Sequence, residues 1–229
     1  MKPRPDPNPA AERMVRLQLE RRDIRDARLL SVMRVLPRHR FCPVADRAGA
    51  YEDRPVSIGH RQTMSQPYMV AFMTEALELR GAERALEVGT GSGYQAAVLA
   101  ELCAEVFSVE RIVALAAAAE RTLAALGITN VHVRVGDGSE GWPERAPFDR
   151  IIVTAAAPAV PPALCAQLAD NGVMVIPVGS IERSQEIVIA RRVAGTISVQ
   201  RSIGCRFVPL IGRSGFPEEG VDTGGGPAH

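Results

Sequence analysis

Long apolar runs are missing from this sequence. No stretch approaches 18 uncharged apolar residues, so no segment is expected to span a membrane. Residues 1–14 lack the apolar core of a secretory signal, and a cytoplasmic protein is the expectation. An excess of either charge is missing too. The 27 basic and 26 acidic residues leave a net charge of +1, which gives no pull toward nucleic acid or an acidic membrane. Cys42, Cys103, Cys165 and Cys205 are scattered with no CxxC pair, so they are read as buried free thiols. His39, His60, His132 and His229 stand at no metal-ligand spacing, and no metal is expected. Aromatic residues make up only 4% of the chain, which leaves Ala, Val, Leu and Ile to fill most of the core. What is abundant is apolar content, 46% over 229 residues, enough for one globular domain.

The Pro-rich residues 1–10 are expected to be mobile. Met14, Leu17, Ile24, Leu29, Leu30, Val32, Met33 and Leu36 predict two short amphipathic helices over 11–36, the second ended by Pro37. Residues 38–66 show no period and read as a structured loop region. Pro67 opens a helix that Gly81 closes. From there strands and helices alternate. Strands are predicted at Ala85–Val88, Glu105–Val109, Val131–Val135, Arg150–Thr154 and Val173–Val178. Helices are predicted at Tyr94–Leu102, Ile112–Leu126 and Pro161–Leu168. This alternation predicts an α/β fold, a doubly wound, mostly parallel sheet with helices on both faces. Ser184–Val193 and Thr196–Phe207, with Gly195 between them, predict antiparallel strands added to the sheet edge. The chain is read as a single domain, with an N-terminal helical and loop cap over 1–80 and a cofactor-binding core over 81–211. Residues 212–229 are expected to be a flexible tail.

The strongest local signal is Leu86-Glu87-Val88-Gly89-Thr90-Gly91-Ser92-Gly93, a buried strand running into a Gly-rich turn and a helix. Such a turn brings backbone N–H groups close to a ligand. The spacing is not the G-x-G-x-x-G of dinucleotide binders, because Tyr94 stands where the third Gly is needed for close packing. E-x-G-x-G-x-G is instead the pattern of S-adenosylmethionine methyltransferases, and it places Glu87, Gly89, Thr90, Gly91, Ser92 and Gly93 at that cofactor. Glu110, with Arg111 beside it, ends the next strand, where a carboxylate accepts hydrogen bonds from two ribose hydroxyls. Asp137 and Gly138 follow the third strand, where a short acid can meet the adenine amino group. An ordinary tight turn, a solvent-facing strand-end acid and a plain Asp–Gly turn are the structural alternatives for these three features. The Asn/Asp-Pro-Pro-Tyr/Phe motif of many N-methyltransferases is missing after strand four, where Thr154-Ala155-Ala156-Ala157-Pro158 stands. A carboxylate nucleophile is already ionised at neutral pH and needs no general base.

Upstream, Ile58-Gly59-His60-Arg61-Gln62-Thr63-Met64-Ser65-Gln66-Pro67-Tyr68-Met69-Val70-Ala71 closely resembles a segment peculiar to protein-L-isoaspartate O-methyltransferases. Gly136-Asp137-Gly138 with Gly141, Phe148-Asp149, Pro177-Val178-Gly179 and Phe207-Val208-Pro209-Leu210 are similar to the same family, and the likeness runs from about residue 24 to 211. The resemblance implies methyl transfer from S-adenosylmethionine, leaving S-adenosylhomocysteine, to the free α-carboxylate of L-isoaspartyl residues in damaged proteins. The ester then closes to a succinimide and hydrolyses in part to aspartate. It implies a catalytic Ser65 whose hydroxyl holds the substrate carboxylate. Gln62, Thr63 and Met64 would lie along the cofactor, and Tyr68, Val208, Pro209 and Leu210 would help form the peptide cleft. The structural alternatives are a helix N-cap for Ser65, a packed helix residue for Tyr68 and plain core for Val208–Leu210. Arg61 stands where the family usually has Gly, Met64 where it has Ile, and Cys42 where an aliphatic is usual. A monomer with peptide and protein substrates, and with neither nucleic acid nor membrane as partner, is expected. A methyltransferase acting on a small molecule or RNA, a nicotinamide oxidoreductase and a non-catalytic cofactor binder stay open from the residues alone.

Overall fold

The computed structural model describes residues 8–218. Nothing below concerns 1–7 or 219–229, so part of the expected mobile start and most of the expected tail lie outside the described residues. The chain opens with α1 (Pro9–Met14), which winds on as a wider π-helical segment over Val15–Glu20, and then α2 (Ala27–Val35). Asp26 starts α2 by accepting hydrogen bonds from the amides of Arg28 and Leu29 at 2.8 and 3.1 Å. The region read as loop holds two 3-10 turns, Arg38–Phe41 and Val44–Gly49, and an antiparallel hairpin of β1 (Val56–Gly59) and β2 (Gln62–Met64). The hairpin turn carries His60 and Arg61 at φ of 50° and 57°. Left-handed backbone is available to glycine without strain and costs other residues about 1–2 kcal/mol. Arg61 therefore stands at a position whose conformation suits glycine.

After α3 (Pro67–Glu75) come β3 (Arg84–Val88), α4 (Tyr94–Ala100), β4 (Glu105–Glu110), α5 (Val113–Ala125), β5 (Val131–Val135) and β6 (Phe148–Val153). The chain continues with α6 (Pro162–Gln167), β7 (Leu168–Gly179), β8 (Gln185–Val193) and β9 (Thr196–Cys205). Seven strands form one sheet in the order β5-β4-β3-β6-β7-β8-β9. Pairings from β5 through β7 are parallel, and β7–β8 and β8–β9 are antiparallel. This is the expected doubly wound architecture with an antiparallel edge. β7 starts five residues earlier than expected, because Leu168 pairs with Phe148 before the ladder shifts register. The polar Asp170-Asn171-Gly172 that follows reads as a turn in sequence, yet the sheet carries it.

The two sheet faces are packed unequally. Ala85, Val106, Ile152, Val173, Val175 and Ile187 share one cluster with the helices of the N-terminal third and with α4. Leu86, Val88, Phe107, Ile151, Met174 and Ile176 share the other with Leu164 of α6 and the ring of Trp142. Each fully buried Leu, Ile or Phe among these contributes roughly 1.5–3 kcal/mol. The cap is tied down by polar clamps as well. Glu75 accepts from the amides of Arg25 and Asp26, both at 2.6 Å, and Arg28 donates to the Leu102 carbonyl at 3.1 Å. All four cysteines are free; Cys42 and Cys103 are buried, whereas Cys165 and Cys205 are half-buried. Among the described residues no helix is long and apolar enough to cross a membrane.

Residues 212–216 correct the expectation of a tail loose from 212 onward. The Phe216 amide donates to the Leu210 carbonyl at 2.7 Å and the Gly212 amide to the Phe216 carbonyl at 3.1 Å. The amides of Arg213 and Ser214 then bond Asp137 and the Ser139 hydroxyl at 2.8 and 3.0 Å. Enough backbone bonds are made here to fix the turn.

Candidate functional site

The chain runs from β3 through β4 to β5 on one side and returns at β6 on the other, so the sheet has its topological switch point between β3 and β6. Ligands of open α/β sheets bind beyond the carboxyl ends of the strands at such a point. The strand ladders overrun their ends to shape the turns: the Gly89 amide bonds the Val109 carbonyl at 2.8 Å, Thr154 bonds Val88 at 2.9 Å, and Gly136 bonds Glu110 at 3.0 Å. Beyond them lies a crevice with Gly89, Gly91, Glu110, Gly138 and Thr154 in its walls. A narrow inner chamber that shares Thr63, Gly89, Gly91 and Thr154 with it is walled further by Met64, Ser65, Thr90, Ser92 and Tyr94.

The glycine turn needs its glycines for different reasons. Gly89 has φ of +95°, and a Cβ there would stand 2.4 Å from the Thr154 hydroxyl. That hydroxyl lies 2.7 Å from the Gly89 carbonyl and 3.0 Å from that of Val88, stapling the turn to the end of β6. Gly93 is outside the crevice. It starts α4 at φ of +85°, with its α-carbon side against Ala119 of α5. Glu87 is also outside, fully buried beneath the turn. Its carboxyl takes a very short hydrogen bond from Ser108, whose hydroxyl is 2.6 Å from that of Thr90. Burial pushes the Glu87 acid up to about 8, with the neighbouring Glu110 adding to the rise.

Glu110 is 5% exposed and faces the crevice. Its two oxygens accept from the amides of Gly91 at 2.8 Å and Ile112 at 2.9 Å. A carboxylate has about four acceptor positions, so each oxygen keeps capacity for another donor. Arg111 lines the crevice and pairs with Glu218 at 2.7 Å. Asp137 does not line it. One oxygen takes the Ser139 amide and hydroxyl at 2.9 and 2.7 Å, and the other takes the Arg213 amide. Gly138, which follows it, does form wall.

Gln62 and Thr63 line the crevice from β2. Ser65 is not the N-cap of α3: Gln66 holds that position and no side chain caps the helix. Ser65 instead lies where the inner chamber meets a second cleft lined by Pro55, Gln66, Met69, Cys205 and Arg206. Val208, Pro209 and Leu210 form crevice wall, pinned to the segment after β6 by the Ala156 amide to the Val208 carbonyl at 2.8 Å and the Leu210 amide to the Ala156 carbonyl at 2.7 Å. Tyr68 is apart from these. It is buried, its hydroxyl donates to Asp23 at 2.8 Å, and the Arg22 guanidinium lies 3.3 Å from its ring centre. That is the packed position among the cap helices, and burial with the Asp23 contact pushes its phenol up to about 12. Thr154, like Ile112 and Ile211, is a wall residue to which the sequence assigned no role at the cofactor. Thr154 is the first residue beyond β6, and the strand-end rule that selected Glu110 would have found it.

A family model described as protein-L-isoaspartate(D-aspartate) O-methyltransferase matches residues 10–215. The chain is 52% identical over 208 residues to a protein-L-isoaspartate O-methyltransferase of Trichlorobacter lovleyi, covering 90% of this chain and 95% of that one. It is 58% identical over 189 residues to one of Anaeromyxobacter dehalogenans, covering 82% and 90%. A solved Plasmodium falciparum structure described as a protein-L-isoaspartate O-methyltransferase, in complex with S-adenosyl-L-homocysteine, superposes with a TM-score of 0.77 at 26% identity. That match covers 88% of this chain and 98% of the other.

Proposed function

The chain belongs to the protein-L-isoaspartate(D-aspartate) O-methyltransferase family, and from that premise we propose that Ser65 delivers the α-carboxylate of an L-isoaspartyl residue to the crevice beyond β3, β4 and β6. The activity is transfer of a methyl group from S-adenosylmethionine to that carboxylate in damaged proteins; the ester closes to a succinimide, which hydrolyses in part to aspartate. The observation that carries the site assignment is the position of Ser65, on the wall shared by the crevice chamber and the second cleft.

The crevice suits the cofactor. Glu110 offers spare acceptor capacity to a pair of hydroxyls, and the Gly89–Gly91 turn lets backbone come close without side chains between. Gln62, Thr63 and Met64 cover it from the hairpin, and Arg111 and Gly138 complete the far wall. Glu87 and Asp137 act from behind. Glu87 steadies Thr90 through Ser108, and Asp137 holds Gly138 in the wall through its bonds to Ser139. When bound, S-adenosylmethionine supplies a methyl on a cationic sulfur, which a carboxylate oxygen accepts while the sulfur recovers the bonding pair. The Ser65 hydroxyl donates to one carboxylate oxygen and so aims the other. Fixing two partners in this way supplies roughly 7–11 kcal/mol in favourable cases. The wall at Thr154–Ala157 is small and has no clamp for an amino group. Val208, Pro209 and Leu210 border the path of the peptide. A net charge of +1 gives no pull toward nucleic acid or an acidic membrane and so supports polypeptide substrates; a cytoplasmic location and a monomeric state belong to the same proposal.

The test is a methylation assay on an isoaspartyl peptide and its normal aspartyl twin. The isoaspartyl peptide alone should be labelled; equal labelling of both, or of neither, defeats the reading. Ser65→Ala should bind S-adenosylhomocysteine as the wild type does and lose turnover, and unchanged turnover would remove Ser65 from the chemistry.

A further inference from the structure

Behind the Ser65 wall sits a charge with no part in the proposed cofactor site. Arg38, in the first 3-10 turn, is 0% exposed. Its Nε donates to the Ala50 carbonyl at 2.7 Å and one terminal nitrogen donates to the Ser65 carbonyl at 2.6 Å. The guanidinium carbon lies 4.6 Å from the ring centre of Tyr94, which with Ser65 walls the inner chamber. Among the described residues no carboxylate lies within ion-pair distance of Arg38. The other terminal nitrogen and the Tyr94 hydroxyl are both buried and face each other without a well-formed hydrogen bond, and the neutral phenol brings no negative charge to the guanidinium.

An isolated buried charge is among the most expensive features a fold can hold, and ordinarily a group in that position sheds its charge or finds a counter-ion. Burial does lower the Arg38 pKa, but a guanidinium starts so high that it keeps its proton at neutral pH. Holding two backbone carbonyls does not by itself require a full charge, since neutral amides also donate. We propose that Arg38 is a positioning and specificity residue for the ionised substrate carboxylate. Through its bond to the Ser65 carbonyl it fixes the serine, and its uncompensated charge favours an anion on the chamber side of that wall. This inference rests on the proposed role of Ser65. Methyl transfer neutralises the carboxylate as the C–S bond breaks and the O–CH3 bond forms. A fixed cation therefore favours the bound acid over the ester: it tightens substrate binding and speeds product release, and it raises the barrier of the transfer itself in part, because the carboxylate charge is already falling in the transition state.

The test compares an isoaspartyl peptide with its neutral α-carboxamide twin, each bound in the presence of S-adenosylhomocysteine and measured by calorimetry. Wild type should prefer the carboxylate. Arg38→Gln, which keeps a donor and loses the charge, should lose at least tenfold of that preference, whereas Arg38→Lys should keep most of it. Equal weakening of both peptides by Arg38→Gln would reduce Arg38 to a packing role, and an unchanged preference would also overturn the proposal. Should Arg38→Gln fail to fold, an isoaspartyl peptide 13C-labelled at the α-carboxyl can be titrated on Ser65→Ala protein, where the serine hydroxyl contributes nothing. The bound carboxyl should titrate at least one pH unit below the free peptide, and no shift or an upward one would overturn the proposal. Wild type that fails the paired methylation assay would defeat the functional reading itself. Wild type that passes it while showing no carboxylate preference would defeat only the role of Arg38.

Discussion

Two regions flank the chamber, and each buries an ionisable side chain completely without an opposite charge. Beneath the glycine turn it is Glu87; behind the Ser65 wall it is Arg38. The physical problem is the same and the outcomes differ. Glu87 can meet the cost by taking up a proton, and burial raises its pKa to about 8, so at neutral pH it serves as a neutral hydrogen-bonding strut to Ser108. Arg38 has no such escape within any ordinary pH range. One region is electrically silent and holds shape. The other holds shape and also carries a field. A buried acid and a buried base therefore report different things: the acid indicates a neutral framework, and the base indicates where an anion is welcome.

The contrast can be broken at either end. The largest effect is expected from Arg38→Ala, which removes two charged hydrogen bonds and leaves the Ala50 and Ser65 carbonyls unpaired. It should cost about 3–5 kcal/mol in chemical denaturation, and a loss below about 1 kcal/mol would show that the clamp is not structural. Next comes Glu87→Gln, read against pH. An acid with an ordinary pKa of 4.5 in the unfolded chain and about 8 in the folded one keeps its proton preferentially in the native state. Wild-type stability contributed by that proton is complete below about 4.5 and is lost as pH rises through about 8. Glutamine has no proton to lose, so the variant should gain on wild type between pH 5 and pH 8 in melting temperature. A constant gap would mean that Glu87 is not held neutral. The smallest effect on the fold belongs to Glu110→Ala, a change at the crevice side of the same turn that leaves the Gly91 and Ile112 amides without their acceptor. Affinity for S-adenosylhomocysteine should weaken by roughly 1.5–3 kcal/mol in calorimetry, while the free protein stays folded and loses only about 1–2 kcal/mol of stability. Unchanged affinity would take Glu110 out of the cofactor site.

The central parallel strands β3, β4 and β6 were legible because both of their faces are buried, and buried strands are written largely in Val, Ile, Leu and Ala. The crevice was legible at Gly89, Gly91 and Glu110 because strand ends are where the sheet offers free backbone. The hairpin of β1 and β2 was not, since its turn is built from His60 and Arg61 in a conformation that usually announces itself with glycine. The surroundings of Tyr68 were not legible, because helix periodicity gives the face of a residue but not the partner, and Arg22 and Asp23 meet its ring and hydroxyl. Arg38 was the least visible of all. In Arg38-His39-Arg40-Phe41 it reads as one more solvated base, and only the tertiary structure shows that it points inward.

The short turn at 212–216 has a consequence for synthesis. Ile211 forms part of the crevice, and the segment holding it in place is anchored on Asp137 and Ser139, more than seventy residues earlier in the chain. While the protein is being made, the glycine turn and Glu110 leave the ribosome long before that anchor can form. The nascent chain thus presents a crevice that lacks a wall, and the crevice is completed only when residues 211–214 reach Asp137 and Ser139.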